Sequence, residues 1–188
     1  DLPWLWKRNL IMQTLKGKIE KSLPELKKSL KQDNDLAVPR LVKVVINTGT
    51  GRARDKKRDE LIVDRLAKIT GQKASARGAK KSIASFKVRQ GEVVGHSVTL
   101  RGQKMYDFLN MLLNIAMPRI RDFKGYSEKS LDNMGNLTIG IREHVIFPQT
   151  ADEEARDIFG FSVTIQTTAK NKAEALAFFR AIGFPFKK

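Results

Sequence analysis

The sequence predicts an α+β fold: a mainly antiparallel sheet with helices packed on one face, and a long basic loop. Three observations lead there. Short alternating segments rich in β-branched residues are interspersed with amphipathic helical stripes. Their order is helix, strand, helix, loop, strand, helix, strand, strand, helix, which suits helices covering one side of an antiparallel sheet. The chain has 188 residues and is 41% hydrophobic, enough for one domain with a buried core.

Each element has a local reason. Lys7–Lys31 reads as a basic amphipathic helix, with Leu10, Leu15, Ile19, Leu23, Leu26 and Leu30 near one stripe and Pro24 expected to kink or split it. Leu41–Asn47 alternates and is β-branched, so it reads as a strand, and Asn47-Thr48-Gly49-Thr50-Gly51 breaks it. Leu61, Ile62, Leu66 and Ile69 form a helical stripe that Gly71 is placed to end. Gly71–Gly91 has weak periodicity and reads as a long, partly extended loop. Val94–Arg101 is a second strand. Met105, Phe108, Leu109, Leu112 and Leu113 make an apolar helix stopped by Pro118. Leu137, Ile139 and Ile141 mark a third strand, and Phe161, Val163 and Ile165 a fourth. In the last helix Asn171 and Glu174 have capping-box spacing, Leu176, Phe179 and Ile182 supply the stripe, and Gly183 and Pro185 the stop. The whole reads as a single domain over 1–188, with a basic helical segment at 1–35 and a basic loop at 71–91.

Thirty-six lysines and arginines against 20 aspartates and glutamates give a formal charge of +16. Such an excess favours a polyanionic partner, nucleic acid before membrane. The absence of cysteine excludes disulfides, thiolate catalysis and cysteine-bound metals. Only His96 and His144 are present, so no multi-histidine metal site is expected. No apolar stretch approaches a membrane span of roughly 18 residues. Leu2–Trp6 is too short for a signal-peptide core. The chain reads as soluble and cytoplasmic, and its basic amphipathic start is also compatible with a transit peptide.

Alternation sets the chemistry of the two sheet faces. With the apolar sets turned under the helices, the opposite face holds Lys43, Val45 and Asn47; Ser97, Thr99 and Arg101; Thr138, Gly140 and Arg142; Ser162, Thr164, Gln166 and Thr168. It has donors, acceptors and positive charge, but no carboxylate and no aromatic ring. A solvated face is the plain alternative, because threonine is common in strands for packing reasons. The net charge favours RNA or DNA read through backbone and shape.

From Arg65 to Gly91 the chain carries Arg65, Lys68, Lys73, Arg77, Lys80, Lys81, Lys87 and Arg89, and no acidic residue. Glycines and small side chains in this stretch let backbone amides approach phosphate while the cations attract it. It reads as an RNA-contacting loop that is mobile until bound. Enzyme readings fail on spacing. Gly78-Ala79-Lys80-Lys81-Ser82 has the wrong order for a phosphate-cradling loop, and Arg54 breaks the dinucleotide pattern that Gly49 and Gly51 begin. Asp152-Glu153-Glu154 with Asp157 lacks oxygen-ligand spacing and reads as a solvated loop or helix start. His96 falls on the apolar side of its strand as a satisfied core histidine, and His144 has no evident partner. No catalytic, metal or cofactor site is expected. A free RNA chaperone would share the charge but would not associate stably with a particle.

Several ordered segments carry a resemblance: KVVINTGTG (43–51), ITGQK (69–73), AKKSIASFKVRQG (79–91), VTLRGQKMYDFLN (98–110), PRIRDFKG (118–125), GNLTIGIREHVIFP (135–148), VTIQTTA (163–169) and GFPF (183–186). Together they resemble the family of bacterial-type large-subunit ribosomal proteins, number five in the series, that binds 5S rRNA. The resemblance implies an α+β sheet with helices on one side and a non-catalytic role in the ribosome, in the cytoplasm or in an organelle. It implies contacts with 5S rRNA and 23S rRNA in the central protuberance, beside other proteins there. It further implies a loop reaching P-site tRNA and a bridge to the small-subunit head protein number thirteen. It carries 5S rRNA contact onto Asn47, Gln72 and Thr99, with Lys43, Arg101 and Arg142 as cationic neighbours on the sheet. It assigns the tRNA-facing loop to 73–86, with Lys73, Arg77, Gly78, Lys80, Lys81 and Ser82 as contacts. The family usually has threonine-arginine-alanine before the lysine pair, where this chain has Arg77-Gly78-Ala79. It often has arginine where Met134 stands, and 149–157 diverges from its pattern.

Overall fold

A computed structural model describes residues 15–30, 32, 34–51, 56–150 and 158–187. The longest strand, Leu41–Gly49 (β1), takes the middle of the sheet. It is followed by β2 (Ser75–Gly78), β3 (Val93–Leu100), β4 (Leu137–Ile141) and β5 (Phe161–Thr167). Every pairing is antiparallel and the spatial order is β2-β3-β1-β5-β4. The α+β expectation therefore holds, with one strand more than the periodicity revealed.

Register follows from the apolar alternation. Leu100, Val44, Ile165 and Leu137 share one cross-sheet row, and Val98, Ile46, Val163 and Ile139 the next. All eight are at most 1% exposed. A slip by one residue would turn both rows into water, so the register is strongly specified.

Among the described residues four helices cover this face: α1 (Leu15–Leu30), α2 (Lys56–Thr70), α3 (Gly102–Met111) and α4 (Lys172–Ala181). α1 rests on α4 and α3, while α2 contacts β3 and α3. Leu15 and Leu26 of α1, Ile62, Leu66 and Ile69 of α2, Met105, Phe108 and Leu109 of α3, and Phe178 and Phe179 of α4 enter one continuous core. Phe147 is fully buried among Phe108 and Phe161, with ring centroids 6.0 and 5.8 Å away. Burying such a side chain stabilises the fold by about 1.5–3 kcal/mol.

α1 crosses Pro24 unbroken rather than splitting there. Pro24 and Glu20 are both exposed, so the carbonyl left without a donor stays in water and not in the core. The expected start of that helix at Lys7 lies outside the described residues. The helical run that begins with α3 ends at Pro118 as expected, though not as α-helix to the last. Met117 N–H donates to Leu112 O in a π-type turn at Leu112–Ala116, and a 3-10 turn, Met117–Arg119, then absorbs the proline. α4 matches its sequence signals closely. Asn171 accepts from Glu174 N–H at 2.9 Å, and Glu174 accepts from Lys170 N–H at 3.0 Å. Gly183, at φ +84, completes a Schellman stop with Gly183 N–H to Arg180 O and Phe184 N–H to Phe179 O.

The stretch 71–91 is more ordered than a loop. β2 pairs with β3, and the ladder continues through Ala79 N–H to Glu92 O and Gly91 N–H to Ala79 O. An Ile83–Val88 bridge closes over a 3-10 turn at Ala84–Phe86. The basic segment is therefore a β-hairpin arm on the sheet edge. Its weak periodicity has a physical cause: β2 is exposed along its whole length, so no apolar face is imposed on it.

Candidate nucleic-acid interface

The face opposite the core is built by the same register. Ser75, Ser97, Asn47, Ser162 and Gly140 line up across all five strands. Next to them run Thr99, Val45, Thr164 and Thr138, and then Lys43 beside Gln166. No helix of the described residues covers these rows. Asn47, Thr138 and Gly140 are exposed, and Lys43, Thr99, Ser162, Thr164 and Gln166 are half-buried by their neighbours. Ser97 is buried, because the Arg77 guanidinium reaches over it and donates to its Oγ at 3.4 Å. Hydroxyls also bond across the face, as Thr138 Oγ1 and Thr164 Oγ1 do at 3.0 Å. The rows contain no carboxylate.

Gln72 is drawn to this face by the end of α2. Gly71 takes φ +65, and Thr70 Oγ1 donates to Leu66 O at 2.6 Å while accepting from Gln72 N–H at 3.3 Å. Lys104 Nζ, which the sequence did not single out, clamps Gly71 O at 3.0 Å. Gln72 Nε2 then donates to Thr99 O at 3.4 Å. Thr99 lies two residues along β3 from Ser97, the partner of Asn47. The three positions carried by the resemblance are thus neighbours on one surface.

The cationic residues divide between two ends. Lys43 precedes Val44 and Arg101 follows Leu100, and Val44 and Leu100 are paired, so these two cations share one end of the sheet. Arg142 falls beyond β4 at the opposite end, in a groove with Arg121, Lys124 and Lys187. It does not join Lys43 and Arg101, because the strand ends at Ile141. On the arm, Lys73, Arg77, Gly78, Lys80, Lys81 and Ser82 are all surface residues, with Gly78 ending β2 and Lys80 following the ladder residue Ala79. Ser82 Oγ accepts from Gln90 N–H at 2.9 Å, fixing the turn from inside. The arm also presents what the sheet lacks: Phe86 and Ile83, 72% and 46% exposed. Helical or strand periodicity could not flag them, since they lie in a turn and an isolated bridge.

Both histidines differ from their sequence reading. His96 is buried on the apolar side but unsatisfied: neither ring nitrogen has a hydrogen-bond partner among the described residues, and Asp59 Oδ1 stands 3.9 Å from Nε2. His144 does have partners. Its ring stacks on Phe159 at 4.4 Å, and Nδ1 accepts from Phe159 N–H at 3.4 Å. The acidic cluster Asp152-Glu153-Glu154 with Asp157 lies outside the described residues, as does most of the divergent 149–157. Among the described residues no cluster of metal-ligating side chains occurs, and no helix is long and apolar enough to cross a membrane. Among the described residues Asp132 and Tyr126 depart from their ordinary range, both away from the sheet face. Hydrogen bonds from Met134 N–H and the Asn136 amide hold the Asp132 carboxyl low, and burial pushes the Tyr126 phenol up.

Comparison with known proteins accords with this architecture. Residues 34–89 match the family described as Ribosomal protein L5, and residues 93–186 match the ribosomal L5P family C-terminus. The chain is 49% identical over 165 residues to the large ribosomal subunit protein uL5 of Synechococcus sp. RCC307, covering 87% of this chain and 92% of that one. It is 44% identical over 170 residues to the uL5 of Halothermothrix orenii, covering 90% and 95%. With the uL5 of Anaeromyxobacter sp. strain K it shares 46% identity over 176 residues, 93% and 98% of the two chains. Matches of this extent make the chain a member of the ribosomal protein L5 family, a structural constituent of the large ribosomal subunit.

Proposed function

We propose that the chain binds 5S rRNA through the exposed sheet face, with the basic hairpin arm adding contacts to 23S rRNA and to P-site tRNA. One observation carries the reading. Cross-strand rows of hydroxyls and amides, free of carboxylates, lie uncovered between the cations of the arm and the Lys43–Arg101 end. Such rows donate to and accept from phosphate and ribose hydroxyls, and so fix register on a folded RNA. Asn47, Gln72 and Thr99 serve as the hydrogen-bonding centre of the site. Lys43 and Arg101 flank it, and Arg142 reaches RNA at the far end. Lys73, Arg77, Lys80 and Lys81 supply the arm's attraction for phosphate, while Gly78 and the small side chain of Ser82 keep the backbone approachable.

In this reading the chain acts as one domain in the central protuberance of a cytoplasmic ribosome, beside the other proteins there. It also meets the small-subunit head protein number thirteen. The family membership supports these placements. The test is direct. 5S rRNA co-purifies with the full chain, and their association weakens with salt at a log–log slope of about −0.7 to −0.9 per neutralised phosphate. A complex indifferent to salt, or no complex at all, refutes the reading.

A further inference from the structure

Beside the open edge of β4 lies a groove of about 460 Å³, within the size range of small-ligand sites. Arg121, Lys124, Arg142 and Lys187 line it, together with Asp122, Glu143 and the half-buried rings of Phe123 and Tyr126. The two rings meet edge to face at 5.3 Å. Gly140 forms part of the lining and leaves its side-chain space empty, with nothing within 4 Å of where a Cβ would stand.

The wall is built rather than loose. Tyr126 N–H donates to Pro185 O at 2.9 Å, and Lys187 N–H donates to Tyr126 O at 2.8 Å. Gly125, at φ +84, lies so close to Phe186 that a Cβ would meet backbone at 2.9 Å. Asp122 holds φ +54, a conformation that non-glycine residues keep only when their surroundings impose it. Elsewhere Lys27, Lys68 and Arg180 are ion-paired. The four groove cations have no such partner among the described residues, so their charge stays available to a ligand.

We propose that this groove receives a single unpaired RNA nucleotide, its phosphate held by Arg121, Lys124 and Arg142 and its base set on the Phe123–Tyr126 pair beside Gly140. The mixed charge favours a nucleotide over an acidic peptide. Asp122 and Glu143 repel the successive carboxylates of an acidic peptide, whereas a nucleotide brings one phosphate charge and a neutral base whose amino groups they can accept from. Stacking on an aromatic ring is tolerant of base identity. The proposal rests on the RNA-binding reading above and extends it past the sheet face.

Gly140→Val tests it, because the valine fills the groove floor without changing charge. The space is open and valine suits a strand, and a thermal melt checks that the variant folds. The probes are a fluorescein-labelled single-stranded RNA hexamer, the same hexamer carrying 4-thiouridine, 5S rRNA, and a hexaglutamate peptide. The expected result is that the hexamer crosslinks within 120–126 of the full chain. Gly140→Val should weaken its binding by about tenfold and abolish that crosslink, while Ile115→Ala, an exposed change outside both the groove and the sheet face, leaves both unchanged. If the chain binds 5S rRNA but Gly140→Val leaves the hexamer untouched, the groove proposal falls and the sheet reading stands. Equal displacement by hexaglutamate also overturns it, in favour of an acidic protein segment. Failure to bind 5S rRNA removes the reading on which it rests.

Discussion

Asn47→Ala and Thr99→Ala separate hydrogen-bonded recognition from general charge attraction. Asn47 is exposed, and its bond with Ser162 uses the backbone carbonyl, which accepts from Ser162 Oγ at 3.2 Å and survives the substitution. The folded state should therefore lose no more than about 0.5 kcal/mol, the usual range for a surface change. Thr99 is half-buried, and the carbonyl that receives Gln72 Nε2 is likewise backbone. Its cost is the strand preference of threonine over alanine, at most about 1 kcal/mol. On RNA binding each side chain is desolvated against a ribose or phosphate group. Leaving that group unpaired costs about 1–3 kcal/mol, roughly 5- to 150-fold in Kd. Neither variant removes a charge. Filter binding of 5S rRNA across a salt series should thus give lines parallel to the wild type and displaced to weaker affinity. Wild-type affinity in both variants removes the sheet from the binding site. A loss that vanishes at high salt also refutes the reasoning, because it identifies the interaction as electrostatic.

Replacing Lys80 and Lys81 together with alanine should do the converse. Both sit at the surface of the arm, outside the core, so urea unfolding should move by no more than about 0.5 kcal/mol. The salt slope should shrink by about 0.7–0.9 for each phosphate that the variant no longer neutralises. An unchanged slope places the arm away from RNA. Gly135→Ala should destabilise the fold by about 2–4 kcal/mol, measured by urea unfolding, because Gly135 holds φ +76 and an added Cβ would stand 2.8 Å from Ala169 Cβ. A variant as stable as wild type would show that the 132–135 turn can shift. The Asp132 carboxyl, held low by Met134 N–H and the Asn136 amide, should titrate below the ordinary 3.8 in an NMR pH series. Its folded value is depressed, so its contribution to stability is present above the unfolded value and disappears as the pH falls through the folded one. A midpoint at or above 3.8 refutes those hydrogen bonds.

Much of this was legible because burial imposes a period. Val44 and Ile46, Leu137 and Ile139, and Val163 and Ile165 alternate strictly, and each pair lies where the alternation assigns it. The polar face followed by subtraction, which is how Asn47 and Thr99 emerged from residue pattern as well as family resemblance. The hairpin arm escaped because β2 is exposed throughout, so nothing disciplined Ser75–Gly78 into an apolar–polar rhythm. Pro24 misled because local chain chemistry argues for a break, but at an exposed position the carbonyl left without a donor stays in water. The groove was illegible for want of any local signal. Arg121, Lys124, Arg142 and Lys187 come from three separate segments and meet only because the C-terminal residues bridge to Tyr126.

The two faces of the sheet also explain how a chain at +16 folds without drawing its main stability from those cations. In β1 the same nine residues contribute Val44 and Ile46 to the core and Lys43 and Asn47 to the open face. Stability comes from the apolar rows, which do not depend on charge. The exposed cations can therefore be gathered on the arm, at the Lys43–Arg101 end and around the groove, at the cost of mutual repulsion in the free protein. A polyanion relieves that repulsion, and to the extent that it binds the ordered surface more tightly than the unfolded chain it stabilises the fold as it binds. A helical layer on the second face would have buried the hydroxyl rows and left the charge with nothing to position. The open antiparallel face is what turns a large positive charge into a surface with register.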